Sequence, residues 1–212
     1  MDEERIELLP GQYRSIASNV DAEIVVTRSR FIASLRCASH REEFDLQIRE
    51  IEHLYQKASH HCWAYRFMTG HVEHSSDAGE PAGTAGRPIL GALKKYNLLN
   101  TMAVVTRYYG GVNLGIKGLI SAYGDAVLNA IEQTQIIIVE PQRTVSFTMG
   151  YGQYNIFLSR LEKYRLAEGA LKANFAESIS GEITVPNSII KQLTDELDSI
   201  SANKTLFQFT VA

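Results

Sequence analysis

The order of apolar and polar positions divides the chain into two runs of short elements. Over residues 20–27 and 30–36, apolar side chains alternate with polar ones. Phe31, Ala33 and Leu35 share one side, the period of a half-buried strand. Phe44, Ile48, Ile51 and Tyr55 then recur at the spacing of one helix face. Ser39 and Glu42, three residues apart, predict a capping box ahead of that helix. Residues 61–68 return to period two, with Trp63, Tyr65 and Phe67 on one side. Pro88 suits the first turn of a short helix running to residue 96, because its missing N–H is not needed there. Residues 97–100 predict a turn, and the apolar run at 101–106 a buried strand. Leu119, Ile120, Tyr123, Ala126, Val127, Ala130 and Ile131 mark a longer helix, and residues 136–139 a short strand closed by Pro141. Residues 1–20 carry no strong pattern.

Beyond Pro141 the glycines thin out and the pattern becomes regular. Strands are predicted at 144–149, 170–176, 179–185 and 204–211, with helices at 154–164 and 186–199. That order, βαββαβ, is the ferredoxin-like plait. Gly169 and Gly181 fall where we expect loops. The class is therefore α+β, with one domain over residues 1–141 and a ferredoxin-like domain over 142–212.

Composition narrows the environment. The chain has 212 residues, of which 45% are hydrophobic, enough for a real core. It has no apolar run of about 18 residues, so no membrane span is expected. The start, MDEERIELLPG, lacks the basic and apolar segments of a secretory signal. Only Cys37 and Cys62 are present, which suits a reducing cytoplasm better than a disulfide framework. The net charge of −3 all falls in residues 1–142 (14 basic against 17 acidic), while residues 143–212 balance at 7 and 7. Any nucleic-acid contact must then be a local patch.

The richest chemistry lies in residues 75–118. Eight of the fifteen glycines fall between Gly79 and Gly118, in clusters on either side of the 101–106 strand. We expect them to form one rigid surface that meets a ligand or partner. A phosphate loop is excluded. Gly110 and Gly115 have the spacing, but Ile116 stands where the motif needs Lys, and Gly118 where it needs a hydroxyl. Backbone N–H groups at the following helix could still hold an anion. Arg107 and Tyr108, with Arg87 and Lys117, are candidates for a phosphate-and-base contact alongside Gly110, Gly111 and Gly115. The alternative is that the tyrosine caps the core and the glycines allow close packing. His60, His61, Cys62, His71 and His74 crowd metal-ligand types, but a strand sends His61 and Cys62 to opposite sides. Asp77 and Glu80 could act as acid and base, or cap turns and pair with Arg87 or Arg107. No nucleophile–base pair stands out, so no catalytic residue, metal or cofactor is assigned.

Several segments resemble the IMPACT/YigZ family. Residues 77–86, DAGEPAGTAG, are similar to its D-D-G-E-P-x-G-T-A-G motif. Val105 to Gly111 followed by Asn113-Leu114-Gly115 resembles V-T-R-Y-[FY]-G-G-x-K-L-G. His60 to Tyr65 is similar to H-N-C-W-A-Y, and Leu119 to Tyr123 to L-V-R-A-Y. The resemblance makes His60, Asp77, Glu80, Thr84 and Gly86 motif residues of unassigned role. It implies an N-terminal domain like ribosomal protein S5 domain 2 and a C-terminal domain like domain V of elongation factor G. It also implies a non-enzymatic regulator of translation or stress. Eukaryotic relatives act through a protein–protein contact in a kinase pathway that controls initiation. The candidate partners are RNA, the ribosome or a translation-related protein. The alternatives are a protein-interaction module without nucleic acid, or a hydrolase-type enzyme centred on Glu80 and His60. The chain departs from the motifs at Ala78, Asn113, Lys117 and Ser121, which alters the charge of the surface.

Overall fold

The computed structural model describes residues 8, 9, 11–201 and 208–211. The chain folds as two compact units. One spans Tyr13–Val139. The other spans residues 140–212 together with the described residues before Tyr13.

The first unit is built on a five-stranded antiparallel sheet. Its strands are β2 (Val20–Val26), β3 (Ser29–Cys37), β4 (His60–Arg66), β5 (Glu73–Ser76) and β6 (Thr101–Tyr108), in the order β2-β3-β6-β4-β5. Central β6 is buried along nearly its whole length, which is why its sequence is a continuous apolar run. Edge strand β2 keeps the polar alternation of a half-covered strand. Helices α2 (Gly86–Lys95) and α3 (Gly115–Glu132) cover one face, where Phe31, Ala33, Leu35, Ala64, Ala103 and Val105 meet Ile89, Leu93, Tyr123 and Val127. Helix α1 (Arg41–Leu54) covers the other, where Phe44 and Ile51 meet Tyr65, Met102 and Val104. A separate ribbon pairs β1 (Tyr13–Ile16) with β7 (Ile136–Val139).

The second unit contains β8 (Gln142–Met149), α4 (Tyr151–Glu162), β9 (Leu171–Phe175), β10 (Ile179–Pro186), α5 (Ile190–Ser201) and β11 (Gln208–Val211). Its sheet runs β11-β8-β10-β9, all antiparallel, the strand order of a ferredoxin-like plait. Val145, Phe147, Phe157, Ile183, Leu193 and Leu197 form its core. The α+β class expected from the pattern is what the chain adopts.

Four details differ from expectation. Strand β1 arises in a segment without a strong pattern; it is fixed by pairing with β7, far away in sequence. Strand β5 lies in a His-Ser-rich segment where no strand is predicted, and it forms by pairing with β4. The Ser39–Glu42 capping box does not form: α1 starts after His40 without a side-chain cap bond, and Ser39 pairs with Glu43. Its Oε2 accepts from both the N–H (2.7 Å) and the hydroxyl (2.9 Å) of Ser39. Gly181 is inside β10, not in a loop; a Cβ there would lie 2.1 Å from the Lys172 carbonyl oxygen of β9. Residues 204–207 of the last predicted strand lie outside the described residues. No helix among the described residues is long and apolar enough to cross a membrane.

Candidate functional site

The first glycine cluster is organised by Asp77, which follows β5. One carboxylate oxygen accepts from the N–H of Gly83 (2.8 Å). The other accepts from the N–H groups of Ala85 (2.9 Å) and Gly86 (2.8 Å). These are donors that the start of α2 would otherwise leave open, since its Ala85 cap has no side-chain bond to offer. Burial pushes the Asp77 carboxyl up, but the three N–H bonds and nearby Arg87 outweigh it and hold the group below the usual aspartate range. Thr84 donates its hydroxyl to the Pro81 carbonyl (2.7 Å). Gly86 is required by close approach, because a Cβ would sit 2.9 Å from the Ser76 backbone. Asp77, Thr84 and Gly86 therefore hold the loop in shape, and the loop turns Glu80 inward.

Glu80 is the centre of a buried polar cluster. Its Oε1 accepts from Arg107 Nη1 (2.5 Å) and from the Tyr123 hydroxyl (2.8 Å). The Glu80 and Arg107 side chains are 4% and 7% exposed, so the pair is almost dry. Cys62 donates its thiol to the Asp77 carbonyl (2.9 Å) and lies 3.4 Å from the Tyr123 oxygen. Burial, with the Glu80 and Asp77 charges nearby, pushes the Cys62 thiol up to about 12, and burial likewise raises the Tyr123 hydroxyl. Both stay protonated at neutral pH and serve as donors. The Arg107 guanidinium lies 5.5 Å from the Phe31 ring centre and 5.4 Å from that of Tyr109. Its Nε is buried without a hydrogen-bond partner among the described residues. His60, opposite Arg107 in the β4–β6 register, directs Nδ1 to the Ala78 carbonyl (3.0 Å). A carbonyl can only accept, so Nδ1 carries the proton, and Nε2 faces Glu80 Oε1 at 3.9 Å.

His60, Glu80 and Arg107 line a cavity of about 550 Å³. Its remaining walls are Ser59, Pro81, Tyr109 and the start of α3, from Asn113 to Ile116 with Leu119. Helix α3 begins at Gly115 with Leu114 as its cap, no side-chain cap bond and no acidic residue in its first turn. Tyr109 and Ile116 are exposed hydrophobic side chains of the cavity wall, beside exposed polar Ser59 and Asn113, and Ile120 is exposed on α3 outside the cavity walls. The Tyr109 hydroxyl donates to Asn113 Oδ1 (3.1 Å).

Of the residues singled out in the sequence, His60, Glu80, Arg107 and Gly115 meet at this cavity. Gly110 lies beside it with a packing role. A Cβ there would fall 2.1 Å from the Arg28 carbonyl carbon, and its N–H donates to Ser29 Oγ (3.1 Å). Gly111 takes φ +82° with open space around it. Arg87 is exposed on α2, its stem 3.6 Å from where a Gly83 side chain would begin, and Lys117 is exposed on α3 outside the cavity walls. Tyr108 is not brought to Arg107. It pairs with Arg30 in register and takes that guanidinium over its ring at 5.3 Å, on the sheet face away from Arg107. The aromatic partner of Arg107 is Tyr109, one residue later. His61 also faces away, bonded to Thr106 Oγ1 (3.0 Å), with burial holding its pKa down. Among the described residues no three His, Cys, Asp or Glu side chains gather as a metal site. The sequence pattern places Tyr123 in the apolar stripe of α3 and gives Cys62 no role at the site. The available signal was a polar tip on an otherwise apolar helix stripe, opposite the only acidic residue of the loop that caps nothing.

The Impact N-terminal domain family matches residues 27–131. The IMPACT family member YvyE of Bacillus subtilis is 32% identical over 196 residues, 91% of this chain and 88% of the relative. An IMPACT family member of Haemophilus influenzae is 33% identical over 203 residues, covering 93% and 97% of the two chains. The crystal structure of a hypothetical protein superposes with a TM-score of 0.66 at 26% identity, over 94% of this chain and 96% of that one.

Proposed function

The chain belongs to the IMPACT family, and on that premise we propose that it is a non-enzymatic regulator of translation or stress. It would bind RNA, the ribosome or a protein partner through the glycine-rich face around the α3 cavity. Family membership fits a translational or regulatory role. The observation that carries the binding reading is that the polar groups of this face are committed to one another. Glu80 is neutralised by Arg107 and Tyr123, Asp77 by three backbone N–H groups, and the Cys62 thiol is buried and protonated. A rigid, pre-formed surface results, and a reactive nucleophile–base pair does not.

Among the three partners, a protein is favoured. Tyr109 and Ile116 are exposed hydrophobic side chains of the cavity wall, with Ile120 exposed elsewhere on α3, while Arg107 in that wall is spent on Glu80. RNA binding would rest on Arg87 and Lys117 outside the cavity, which make no ion pair among the described residues, and would weaken steeply with salt. Co-sedimentation with ribosomes and filter binding to RNA, each across a salt series, test the reading. Capture that is lost in Ile116→Glu supports it. Capture that is the same for the native chain and Ile116→Glu on every partner overturns it.

A further inference from the structure

The sheet of the second unit ends in β9, which pairs with β10 on one side and with no strand among the described residues on the other. The N–H of Thr184 donates to the Ala170 carbonyl (2.8 Å), and the N–H of Ala176 to the Ser178 carbonyl (3.1 Å). In an antiparallel pair this fixes the alternation: the even-numbered residues of the segment turn their backbone groups to β10. The N–H and C=O groups of Leu171, Ala173 and Phe175 therefore point outward along the free edge. Nothing blunts that edge. The register with β10 runs without a bulge from Leu171 to Phe175, no proline interrupts it, and its one charge, Lys172, stands opposite Glu182. Apolar surface lies beside it. The Phe175 ring packs on Tyr151 and Tyr154 of α4, at centre distances of 6.4 and 5.3 Å, yet Phe175 and Tyr151 are 56% and 55% exposed.

We propose that β9 pairs with β9 of a second copy of this chain, about a two-fold axis at Ala173, joining two four-stranded sheets into one. The strand is complementary to itself in this register. Ala173 meets Ala173, and Leu171 of each copy meets Phe175 of the other, with two backbone hydrogen bonds at each of these pairs. Leu171 and Ala173 already pack against the core of the unit, so the Leu171–Phe175 contacts extend that core across the axis and cover the exposed ring. On the open face, Lys172 of each copy lies opposite the neutral Asn174 of the other. Sliding the pairing until Lys172 meets Lys172 opposes like charges. Sliding it until Asn174 meets Asn174 puts Leu171 opposite residue 177, past the end of β9. A foreign strand requires no such self-matching, which is what selects a second copy as the occupant. Two five-residue strands make a small interface, that of a reversible dimer.

The test is sedimentation equilibrium of the full chain over a concentration series, with amide hydrogen exchange read at both ends of the series. The mass is expected to rise from that of one chain to that of two and to stop there. The outward amides of Leu171, Ala173 and Phe175 are expected to exchange more slowly at the high end. Ala173→Pro removes an N–H that β10 does not use, and is expected to weaken the dimer by about tenfold. Asn174 is exposed and stands opposite neutral Ser180 within its own sheet, so its variants decide the matter even if Ala173→Pro fails to fold. Asn174→Lys faces Lys172 of the other copy twice and is expected to weaken association by about fivefold, whereas Asn174→Glu is expected to strengthen it by about as much. A single-chain mass at every concentration, a mass that grows past two chains, or a dimer indifferent to all three substitutions would overturn the proposal. So would protection of the same amides only when an unrelated extended peptide is added, which would make the edge a site for another protein's strand. None of the substituted residues lines the α3 cavity, so this proposal and the binding reading of that face fail separately.

Discussion

The two faces of the five-stranded sheet are made from alternate residues of the same strands, yet they are built on different chemistry. Toward α1, β4 and β6 send Trp63, Tyr65, Met102 and Val104. The rings of Phe44, Trp63, Tyr65 and Phe67 pack at centre distances of 4.3 to 5.7 Å. Toward α2 and α3 the same strands send Cys62, Ala64, Ala103 and Val105, and at one end His60 and Arg107. The first face is filled by bulk. The second is filled by small residues that let α3 come close, and where the small residues end it holds a buried polar cluster and a cavity. Hydrophobic packing explains most of the first, to which His61 and Thr106 add one hydrogen-bonded pair. It does not explain why an arginine and a glutamate are placed in the second, where well-packed apolar residues would stabilise as much or more. That asymmetry is why we place recognition on the α3 side.

The comparison can be broken from both sides. Arg107→Ala would leave the Glu80 charge buried without its partner and is expected to cost about 3–5 kcal/mol, read by urea unfolding. Replacing both, Glu80→Leu with Arg107→Met, should restore most of that loss while abolishing ligand binding. If the double variant is no more stable than the single one, the pair is not the isolated unit described. Phe44→Ala on the opposite face should cost about 3–4 kcal/mol through the lost ring contacts, with binding at the α3 cavity retained in the folded fraction. Asp77→Ala removes the acceptor of three N–H bonds and is expected to cost about 2–3 kcal/mol.

Asp77 also sets a pH dependence. Its folded pKa is below its ordinary value of 3.8, so its stabilisation is present above that pH and is lost as pH falls through the folded value. Acid titration of Asp77→Asn should show a shallower loss of stability below 3.8 than the native chain; superimposable acid limbs would remove Asp77 from the account. The smallest effect is on reactivity alone. In the native state a thiol reagent should modify exposed Cys37, while Cys62 reacts only on unfolding.

The strands and helices of both units were legible because apolar periodicity is a local signal. Phe31-x-Ala33-x-Leu35 and the Leu119 to Ile131 stripe each declare their own buried face. Strands β1 and β5 were not legible, since each owes its existence to a distant partner. At the site, the motif spacing pointed to Glu80, Arg107 and His60, which do converge. It could not say that Tyr108 turns to Arg30 while Tyr109 covers Arg107. That depends on where β6 ends, and β6 runs two residues beyond its apolar stretch. Nor could spacing show that Asp77 is consumed by its own loop. That required the fold that brings the N–H groups of Gly83, Ala85 and Gly86 onto one carboxylate.

The most direct test of the α3 side as the recognition surface is photo-crosslinking in cells from two exposed positions, Ile120 on α3 and Leu46 on α1. Each would carry a photoreactive side chain in the otherwise native chain. The account predicts a discrete RNA, ribosomal or protein adduct from position 120 and none above background from position 46. Equal yields from the two positions, or an adduct from 46 alone, would contradict it.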